Sequence, residues 1–238
     1  MQYLDLTLPS AAENLALDEA LLLDAEADRG TEILRFWEWS SPTVILGAGC
    51  RLAEDVDEAA CNRHEVPILR RSSGGGTVLL GKGCLCYTLV LAHDRDPALG
   101  EIRSSFCFIL ERICDRLMKF YPGIELAGTS DLALGGKKLS GNSQQRKRNF
   151  LLHHGTILFG FDPGLVDRYL RMPSRQPDYR RQRSHGDFLT NLPTDSETLK
   201  RHLLGAWDAT TITDSWPQEL VRDLVESKYH LEEWTRRR

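Results

Sequence analysis

The sequence predicts an α+β fold. Segments with strand character dominate the middle of the chain, and helical patterns lie towards both of its ends. Strict alternation of strand and helix, which would indicate a parallel α/β sheet, is absent. These two observations favour a sheet that is covered by helices from separate parts of the chain.

The first half of the chain begins with a helix. Ser10 and Glu13 form a capping box at its start, and Leu17, Leu21 and Leu22 supply its buried stripe. Strand patterns follow at residues 33–39, 43–46, 66–69, 77–80 and 84–91, and an acidic surface helix is predicted over residues 52–63. The last of these strands is apolar at nearly every position, as expected of a strand covered on both faces.

The clearest helix of the chain covers residues 101–120, where apolar residues recur every three or four positions. Its predicted stripe consists of Ile102, Phe106, Ile109, Leu110, Ile113, Leu117 and Phe120. A hairpin is predicted over residues 131–139, with Gly135 and Gly136 in its turn, and strand patterns recur at 150–152 and 155–159. Helical segments at about 164–171, 196–208 and 217–227 follow, and Pro217 fits the first helical position after a Ser215 cap.

Composition narrows the class of protein. The 238 residues are 41% hydrophobic and 27% charged, and no repeat or linker divides them, so a single domain over residues 1–238 is expected. No apolar run approaches the ~18 residues of a membrane span. The amino terminus lacks a secretory signal, which predicts a cytoplasmic protein. The formal net charge of −4 weighs against nonspecific binding of nucleic acid.

The chain has six cysteines, none of them in a C-x-x-C pair, which gives little support for a zinc site. Free thiols are expected in a reducing compartment. Cys107 and Cys114 lie in the pattern of the 101–120 helix, and both are interpreted as packing residues.

Residues 70–76 read RRSSGGG. Three adjacent glycines are tolerated mainly where the backbone turns sharply or approaches a ligand. Consecutive backbone N–H groups in such a loop can surround an anion, and Arg70 and Arg71 add positive charge. The loop matches neither a Walker phosphate-binding loop nor a Rossmann fingerprint. On these residues alone, a binding loop and a plain connection between strands are both open.

Two further segments carry candidate polar groups. Lys138 stands in the glycine-flanked segment 135–143, where it can present its charge to a phosphate or carboxylate; a solvated surface lysine is the alternative. His153 and His154 are adjacent on a strand pattern, so they are expected to point to opposite faces. Without nearby Cys or acidic ligands, this pair is weak support for a metal site.

Taken together, these segments resemble the lipoate–protein ligase catalytic domain of the biotin/lipoate A/B protein ligase family. The likeness spans nearly the whole chain and is carried by residues 14–20, 36–39, 70–78, 130–132, 138–141, 154–158, 190–192, 228–229 and 233–234. It implies a central, largely antiparallel or mixed sheet flanked by helices. It also implies a two-step reaction, in which ATP activates lipoate as lipoyl-AMP and the lipoyl group then passes to a lysine of an acceptor domain.

The resemblance assigns roles to individual residues. Lys138 matches the family's lysine and would offset the charges of the lipoate carboxylate and the α-phosphate of ATP. Asp131 matches an acidic position associated with nucleotide and metal, so Mg²⁺ is expected there. Leu79 and Tyr87 are expected to line a slot for the aliphatic tail. Arg70 and Arg71 would face phosphate or hold the loop. The other expected binding residues are Ser73, Gly74, Gly75, Gly76, Thr77, Ser140, Gly141, His154, Gly155 and Thr156.

The chain departs from the family pattern at three positions. Leu80 stands where the family often has His, Cys84 where it often has Asn, and Ser130 where Asn commonly precedes the aspartate. These changes bear on substrate choice. Only residues 235–238 follow the segments that resemble the end of the catalytic domain, so no carboxy-terminal accessory domain is expected. The resemblance then implies that a separate accessory subunit supports adenylation, or that this domain completes adenylation alone.

Two other functions fit the same segments. An octanoyl or lipoyl transferase would use no ATP, and one branch of those enzymes needs a cysteine near the lysine hairpin, where residues 123–130 have none. A non-catalytic module would bind a lipoyl-adenylate or a lipoylated protein with the same loop and lysine. A biotin ligase is disfavoured, because a Gly-Arg-Gly-Arg loop is missing. The basic residues at 146–148 and 171–183 either are solvated or dock an acidic acceptor.

Overall fold

A computed structural model describes residues 1–28 and 31–238, and it confirms the α+β class. The strands are β1 (Gln2–Asp5), β2 (Ile33–Glu38), β3 (Thr43–Leu46), β4 (Ile68–Arg70), β5 (Val78–Leu80), β6 (Cys84–Ala92), β7 (Ile124–Ala127), β8 (Asp131–Leu134), β9 (Lys137–Arg146), β10 (Phe150–Leu158) and β11 (Thr211–Ile212). The helices are α1 (Ala11–Asp28), α2 (Leu52–Asp55), α3 (Glu58–Arg63), α4 (Ile102–Met118), α5 (Gly164–Tyr169), α6 (His185–Phe188), α7 (Ser196–Trp207), α8 (Gln218–Leu224) and α9 (Glu232–Arg236). None of these helices is both long enough and apolar enough to cross a membrane.

Two sheets organise these strands. The larger has eight strands in the order β11-β1-β2-β6-β10-β9-β8-β7, and the smaller has the order β4-β3-β5. In the large sheet, β1 pairs in parallel with β11 and β2, and every other pairing is antiparallel. The expectation of a mixed, largely antiparallel sheet flanked by helices is therefore confirmed.

Helices cover both faces of the large sheet. One face packs against α4 and α7, and the other packs against α1, α8 and residues of the small sheet. The central strand β6 shows why both faces must be covered: Leu85, Leu89 and Leu91 enter the first core, while Cys86 and Val90 enter the second. This alternation confirms that the apolar segment 84–91 is a strand buried on both sides.

The segment after α8 closes over the small sheet. A π-helical turn (Val225–Tyr229) leads into α9, where the indole Nε1–H of Trp234 donates to the backbone oxygen of Arg70 at 2.8 Å. The Nε–H of Arg70 donates to the carbonyl oxygen of Thr235 at 3.0 Å. The amide N–H of Leu52 donates to the carbonyl oxygen of Arg238 at 3.3 Å. The last residues of the chain thus support the strand that enters the glycine loop.

Several local predictions need correction. The helix expected over 52–63 is two helices, because Val56 is extended, forms a β-bridge with Leu170, and is followed by Asp57, which caps α3. The predicted strand at 66–69 is shifted to Ile68–Arg70, and the two patterns at 150–159 form one continuous strand.

Helix ends account for the remaining differences. Ile102 and Phe120 were placed in the buried stripe of the 101–120 helix but are 61% and 51% exposed, because they lie at or beyond the ends of α4. Cys107 is exposed on the outer side of that helix, whereas Cys114 is buried as expected. Pro217 precedes α8 as its cap residue, and no side chain caps this helix.

The capping box of α1 is confirmed, since the amide of Glu13 donates to Ser10 Oγ and the amide of Ser10 to Glu13 Oε2.

Gly83, in the turn between β5 and β6, provides a test of the packing. Its φ is +85°, and a Cβ built there would lie 2.1 Å from the carbonyl carbon of Gly160. We expect Gly83→Ala to lower the free energy of unfolding by about 3 kcal/mol, at the upper end of the range for left-handed strain. Urea denaturation of Gly100→Ala is the control, since a Cβ there meets nothing within 4 Å. Equal midpoints for the two variants would contradict the packing at this turn.

Candidate active site

The three segments singled out in the sequence converge on one cavity of about 170 Å³, open at its mouth. It lies between the α1 side of the large sheet and the loop that joins β4 to β5. One part of its lining is apolar and consists of Leu15, Trp37, Ile45, Val78, Leu80 and Cys86. The other part is polar and includes Asp18, Arg71, Thr77, Lys138, Asn142, Ser143, His154 and Thr156. The cavity therefore suits a ligand with an aliphatic body and a charged end.

Arg71 shapes the glycine loop (residues 72–77) from within. Its Nε–H donates to Ser73 Oγ at 3.0 Å, and Nη2 donates to the carbonyl oxygens of Gly74 and Gly76 at 2.5 and 2.8 Å. Burial lowers the pKa of Arg71 to about 10, so the guanidinium stays charged near neutral pH. The buried guanidinium of Arg71 thus binds these loop carbonyl oxygens from the inner side of the turn.

The amide groups of the loop are left available by this arrangement. In the described part of the chain, the N–H groups of Gly74, Gly75 and Gly76 donate to no protein acceptor. Gly75 has a φ of +79°, and a Cβ on Gly47 would lie 2.0 Å from the carbonyl oxygen of Gly75. The sharp turn and the close approach of β3 explain why glycine stands at these two positions. Free amides in a row can receive an oxyanion.

Lys138 lies on β9 at the cavity wall, and its Nζ forms an ion pair with Asp131 Oδ1 at 2.7 Å. The other carboxylate oxygen of Asp131 accepts a hydrogen bond of 2.7 Å from the Tyr179 hydroxyl. Asp131 is buried and does not line the cavity. Lys137, the next residue, is exposed, as the alternation of a strand predicts.

Among the described residues, the side chains around Asp131 form no preformed metal cage. Mg²⁺ there stays a prediction, because an ion bound with a nucleotide takes only one or two carboxylates from the protein. Both of its oxygens already bind a donor, one of them the Lys138 cation. Over residues 1–28 and 31–238, no group of three or more His, Cys, Asp or Glu side chains is arranged to hold a metal. Asp131 is built to position Lys138.

A buried polar chain reaches the glycine loop from the other side. Ser73 Oγ lies 2.5 Å from His154 Nε2, His154 Nδ1 lies 3.2 Å from Asp18 Oδ2, and Asp18 Oδ1 pairs with Arg35 at 2.5 Å. Burial alone would raise the pKa of Asp18, but Arg35 and then His154 hold it below its usual value. With Asp18 ionised, the Nδ1–H tautomer of His154 leaves Nε2 free to accept from Ser73.

His153 faces away from the cavity, as predicted, because adjacent strand residues point to opposite faces and His154 lines the cavity. Its Nδ1 lies 3.2 Å from Gln144 Nε2, and its Nε2 lies 3.3 Å from the Tyr87 hydroxyl. Burial is the main cause that lowers the pKa of His153 to about 3. His153 is therefore a neutral core residue.

The remaining expected residues fall into two groups. Gly75, Gly76, Thr77, Gly141, Gly155 and Thr156 line the cavity with Lys138, Arg71 and His154. Arg70, Ser73, Gly74, Asp131 and Ser140 do not line it. Ser140 Oγ accepts from Asn142 Nδ2 at 3.1 Å, and Arg70 is fully buried, with Nη1 donating to the carbonyl oxygens of Gly47 and Cys50. Of the two roles expected for Arg70, the structure supports holding the loop.

The apolar slot differs from expectation by one residue. Tyr87 lines the cavity, but Leu79 points into the core beneath the small sheet, and its neighbour Leu80 takes the place in the wall. Because side chains alternate along β5, a prediction displaced by one residue selects the wrong face.

Sequence reasoning missed four lining or supporting groups: Asp18, Arg35, Asn142 and Ser143. Asp18 and Arg35 each interrupt an otherwise apolar pattern, and this was the signal that could have found them. Ser143 Oγ donates to the carbonyl oxygen of Gly74 at 2.7 Å, which ties β9 to the loop. Asn142 packs on Gly155, where a Cβ would lie 1.8 Å from Asn142 Oδ1.

Two thiols lie at the site. Cys86 lines the apolar wall, and burial raises its pKa well above the usual value. Cys50 Sγ is 3.4 Å from the carbonyl oxygen of Gly75, and burial raises its pKa as well. Both therefore stay protonated at neutral pH, which makes them weak nucleophiles.

The Asp18–Arg35 pair gives a stability prediction. We expect Asp18→Asn to lower the free energy of unfolding by about 3–5 kcal/mol, because it leaves a buried guanidinium without its counter-ion. Asp208→Asn is the matched control: Asp208 pairs with Arg112 at 2.9 Å, but its side chain is 82% exposed, so a change below about 1 kcal/mol is expected.

The pH dependence of the same variant gives an independent check. Because the pKa of Asp18 is lower in the folded state, its contribution is present above the usual carboxyl pKa and is lost as pH falls through the folded value. Urea unfolding at pH 7 and at pH 3 should show a smaller difference between Asp18→Asn and the natural chain at pH 3. An equal difference at both pH values would contradict this assignment.

Comparison with known proteins identifies relatives along most of the chain. Octanoyltransferase LipM of Carboxydothermus hydrogenoformans is 29% identical, with 94% of each chain covered. LipM of Oceanobacillus iheyensis is 30% identical over 76% of this chain and 71% of its own. Lipoate–protein ligase 1 of Staphylococcus aureus is 27% identical over 67% of this chain and 46% of its own.

Solved structures show the same fold. The crystal structure of lipoate-protein ligase A bound with ATP superposes with a TM-score of 0.81 at 23% identity, covering 99% of each chain. The bipartite lipoate protein ligase of Thermoplasma acidophilum, solved in a study with its E2 lipoyl domain, gives 0.82 at 22% identity, covering 99% of this chain and 95% of that one.

The match to a family model unites these relatives with the site described above. The model of the lipoyl protein ligase A/B catalytic domain matches residues 10–201, which include the glycine loop, Lys138 and His154. The chain therefore belongs to the lipoyl protein ligase A/B catalytic-domain family and is an enzyme of the lipoate ligase and octanoyltransferase group.

Proposed function

We propose that this chain is an acid-activating acyl ligase. It would join a medium-chain acid such as lipoate to AMP at the expense of ATP, and then transfer the acyl group to a lysine amine of an acceptor domain. The observation that carries this proposal is a single cavity in which an apolar slot, a lysine and the free amides of Gly75 and Gly76 meet without an activated thiol.

The apolar wall accounts for the acid's chain. Leu15, Trp37, Ile45 and Leu80 enclose a slot of aliphatic and aromatic carbon, with Cys86 at its wall. Burying each methylene of an acyl chain in such a slot contributes ~0.8 kcal/mol. A chain of lipoyl or octanoyl length thus gains enough to anchor its carboxylate at the polar end.

The polar end suits the first step, in which like charges must meet. A carboxylate oxygen of the acid attacks the α-phosphorus of ATP, the bond to the bridging oxygen breaks, and pyrophosphate leaves. Lys138 Nζ offsets the negative charge, and the amides of the glycine loop receive a phosphate or carboxylate oxygen. The ion pair with Asp131 and the hydrogen bond from Tyr179 hold Lys138 in place before substrates arrive.

In the second step the acceptor's amine attacks the acyl carbonyl carbon, and the bond to AMP breaks. AMP leaves with the electron pair of the broken bond, and the proton lost by the amine passes to the phosphate of the leaving AMP or to water at the open mouth. Negative charge develops on the carbonyl oxygen in the transition state, where Lys138 and the loop amides can stabilise it. One preorganised set of donors thereby serves both steps.

An octanoyltransferase is the second candidate, because relatives of that name cover 94% of each chain. A transferase that forms an acyl-thioester needs a thiolate. Cys86 and Cys50 both have pKa values raised by burial, and residues 123–130 contain no cysteine. A module that binds an acyl-adenylate or lipoylated protein without turnover is the third candidate.

One experiment separates the three candidates. The purified chain is mixed with a recombinant lipoyl acceptor domain and one acyl source, which is lipoate, octanoate, octanoyl-carrier protein or synthetic lipoyl-AMP. Each mixture is run with and without ATP and Mg²⁺, and acceptor mass and pyrophosphate are measured. ATP-dependent acylation supports the ligase, and acylation from octanoyl-carrier protein without ATP supports the transferase. Transfer from synthetic lipoyl-AMP but none from ATP would indicate a separate accessory subunit. No turnover in any arm would leave the binding module.

Lys138→Ala tests the central cation. We expect pyrophosphate release to fall ~10²–10³-fold or more, the usual loss for one preorganised charged donor. Lys137→Ala, which removes an equal charge from an exposed neighbour, should keep at least half of the activity. Thermal unfolding of both variants serves as a check on folding. If Lys138→Ala released pyrophosphate at the rate of the natural chain, the assignment would be wrong.

Cys50→Ala and Cys86→Ala test the absence of a thioester. We expect each variant, and the pair together, to acylate the acceptor within about fivefold of the natural chain, because neither thiol is ionised at neutral pH. Acid-quenched mass spectrometry of the natural chain should find no acyl-thioester. A trapped thioester on either cysteine, together with turnover that needs no ATP, would favour the transferase.

A further inference from the structure

Residues 168–183, here named the arginine segment, contain six arginines and a single carboxylate residue, Asp178, in a chain of formal net charge −4. None of these six arginines forms an ion pair with a carboxylate in the described part of the chain, whereas Arg51, Arg95 and Arg112 elsewhere each do. A local excess of exposed positive charge without internal ion pairs attracts a partner of opposite charge.

The segment borders the mouth of the cavity on two sides. At one end, the amide of Arg171 donates to the backbone oxygen of Asp55 at 2.9 Å, and Asp55 Oδ2 accepts from the cavity residue Thr77 at 2.6 Å. At the other end, Arg183 Nη2 donates to the carbonyl oxygen of Gly136 at 2.8 Å, in the turn that precedes Lys138. The segment therefore connects the glycine-loop rim to the lysine hairpin.

The arginines divide into a structural pair and an exposed set. Arg180 is buried and Arg183 is half-buried, and their guanidinium carbons lie 4.8 and 5.3 Å from the centre of the Phe188 ring. The remaining four, which are exposed to solvent, are Arg168, Arg171, Arg175 and Arg181. Lys137 is also exposed beside the Gly136 turn.

We infer that this exposed basic rim is the docking surface for an acceptor protein that carries acidic residues around its target lysine. The inference rests on the proposed transfer to an acceptor lysine, since that lysine must enter the mouth while its own protein covers the rim. Carboxylates on the acceptor would meet unpaired guanidinium groups, which steers the encounter and fixes the orientation. A rim without internal ion pairs has nothing to break before the acceptor binds.

The test is the double variant Arg175→Glu with Arg181→Glu, and its control is Arg103→Glu with Arg222→Glu. Both controls are exposed and lie on helices that contribute nothing to the cavity lining. At 50 mM NaCl we expect the KM for a recombinant lipoyl domain to rise at least tenfold in the test variant and less than twofold in the control. Pyrophosphate release in the absence of acceptor should match the natural chain in both, and 500 mM NaCl should bring the natural chain and test variant together.

Direct binding makes the result independent of catalysis. Fluorescence anisotropy of a labelled lipoyl domain should show weaker, salt-dependent binding to the test variant even if the chain forms no acyl-adenylate, so failure of the proposed function would not mimic failure of this inference. Unchanged lipoyl-domain affinity would overturn the inference. Loss of binding to a labelled RNA, with lipoyl-domain affinity unchanged, would also overturn it and assign the rim to nucleic acid. Thermal unfolding midpoints within about two degrees of the natural chain, a shift of at most about 1 kcal/mol, exclude misfolding as the cause.

Discussion

The architecture of the site depends on one buried charge, the guanidinium of Arg35 in the middle of β2. A cation there can persist only if it is surrounded by acceptors, and Asn14, Asp18 and the backbone oxygen of Leu6 supply them. Meeting this need fixes α1 against the sheet with Asp18 at a set position. Asp18 then orients His154 through its Nδ1, and Nε2 of His154 contacts the hydroxyl of Ser73. Ser73 in turn accepts a hydrogen bond from Arg71, whose guanidinium binds the carbonyl oxygens of the glycine loop. The position of the loop is thus specified from the core outward.

Two buried arginines serve the loop in different ways. Arg71 binds the loop's own carbonyls from inside the turn, while Arg70 binds the carbonyls of the neighbouring β3 end from below. Both guanidinium groups hold backbone oxygens, which is one of the two roles expected for them. Their charges still act on the cavity, because a low-dielectric interior screens them weakly. Lys138 is then the side-chain cation that remains at the wall, already oriented by its carboxylate partner.

Local patterns predicted those parts of the molecule that local physics decides. The turn at Gly135 and Gly136, the capping box at Ser10 and the apolar β6 each follow from a few neighbouring residues, and each was predicted. The strand β1 was missed, since its four residues pair in parallel with β2 only after α1 has crossed between them. The Asp18–His154 contact joins residues 136 apart in the chain, and no window of sequence contains it. The displaced choice of Leu79 over Leu80 shows that a strand can be predicted correctly while the face of one side chain is not.

The contact between Arg70 and Thr235 has a consequence for the order in which this protein matures. These partners are 165 residues apart, so a ribosome makes the glycine loop long before it makes the loop's support. Until residues 232–238 dock, the Nε–H of Arg70 lacks its acceptor, although Nη1 already has the carbonyl oxygens of Gly47 and Cys50; the Leu52 amide and the Ala48 and Arg70 carbonyls lack their partners from residues 234–238. The large sheet can form earlier from strands that are adjacent in sequence, such as β8, β9 and β10. The glycine loop can therefore gain these supporting hydrogen bonds only after residues 232–238 have been made and have docked.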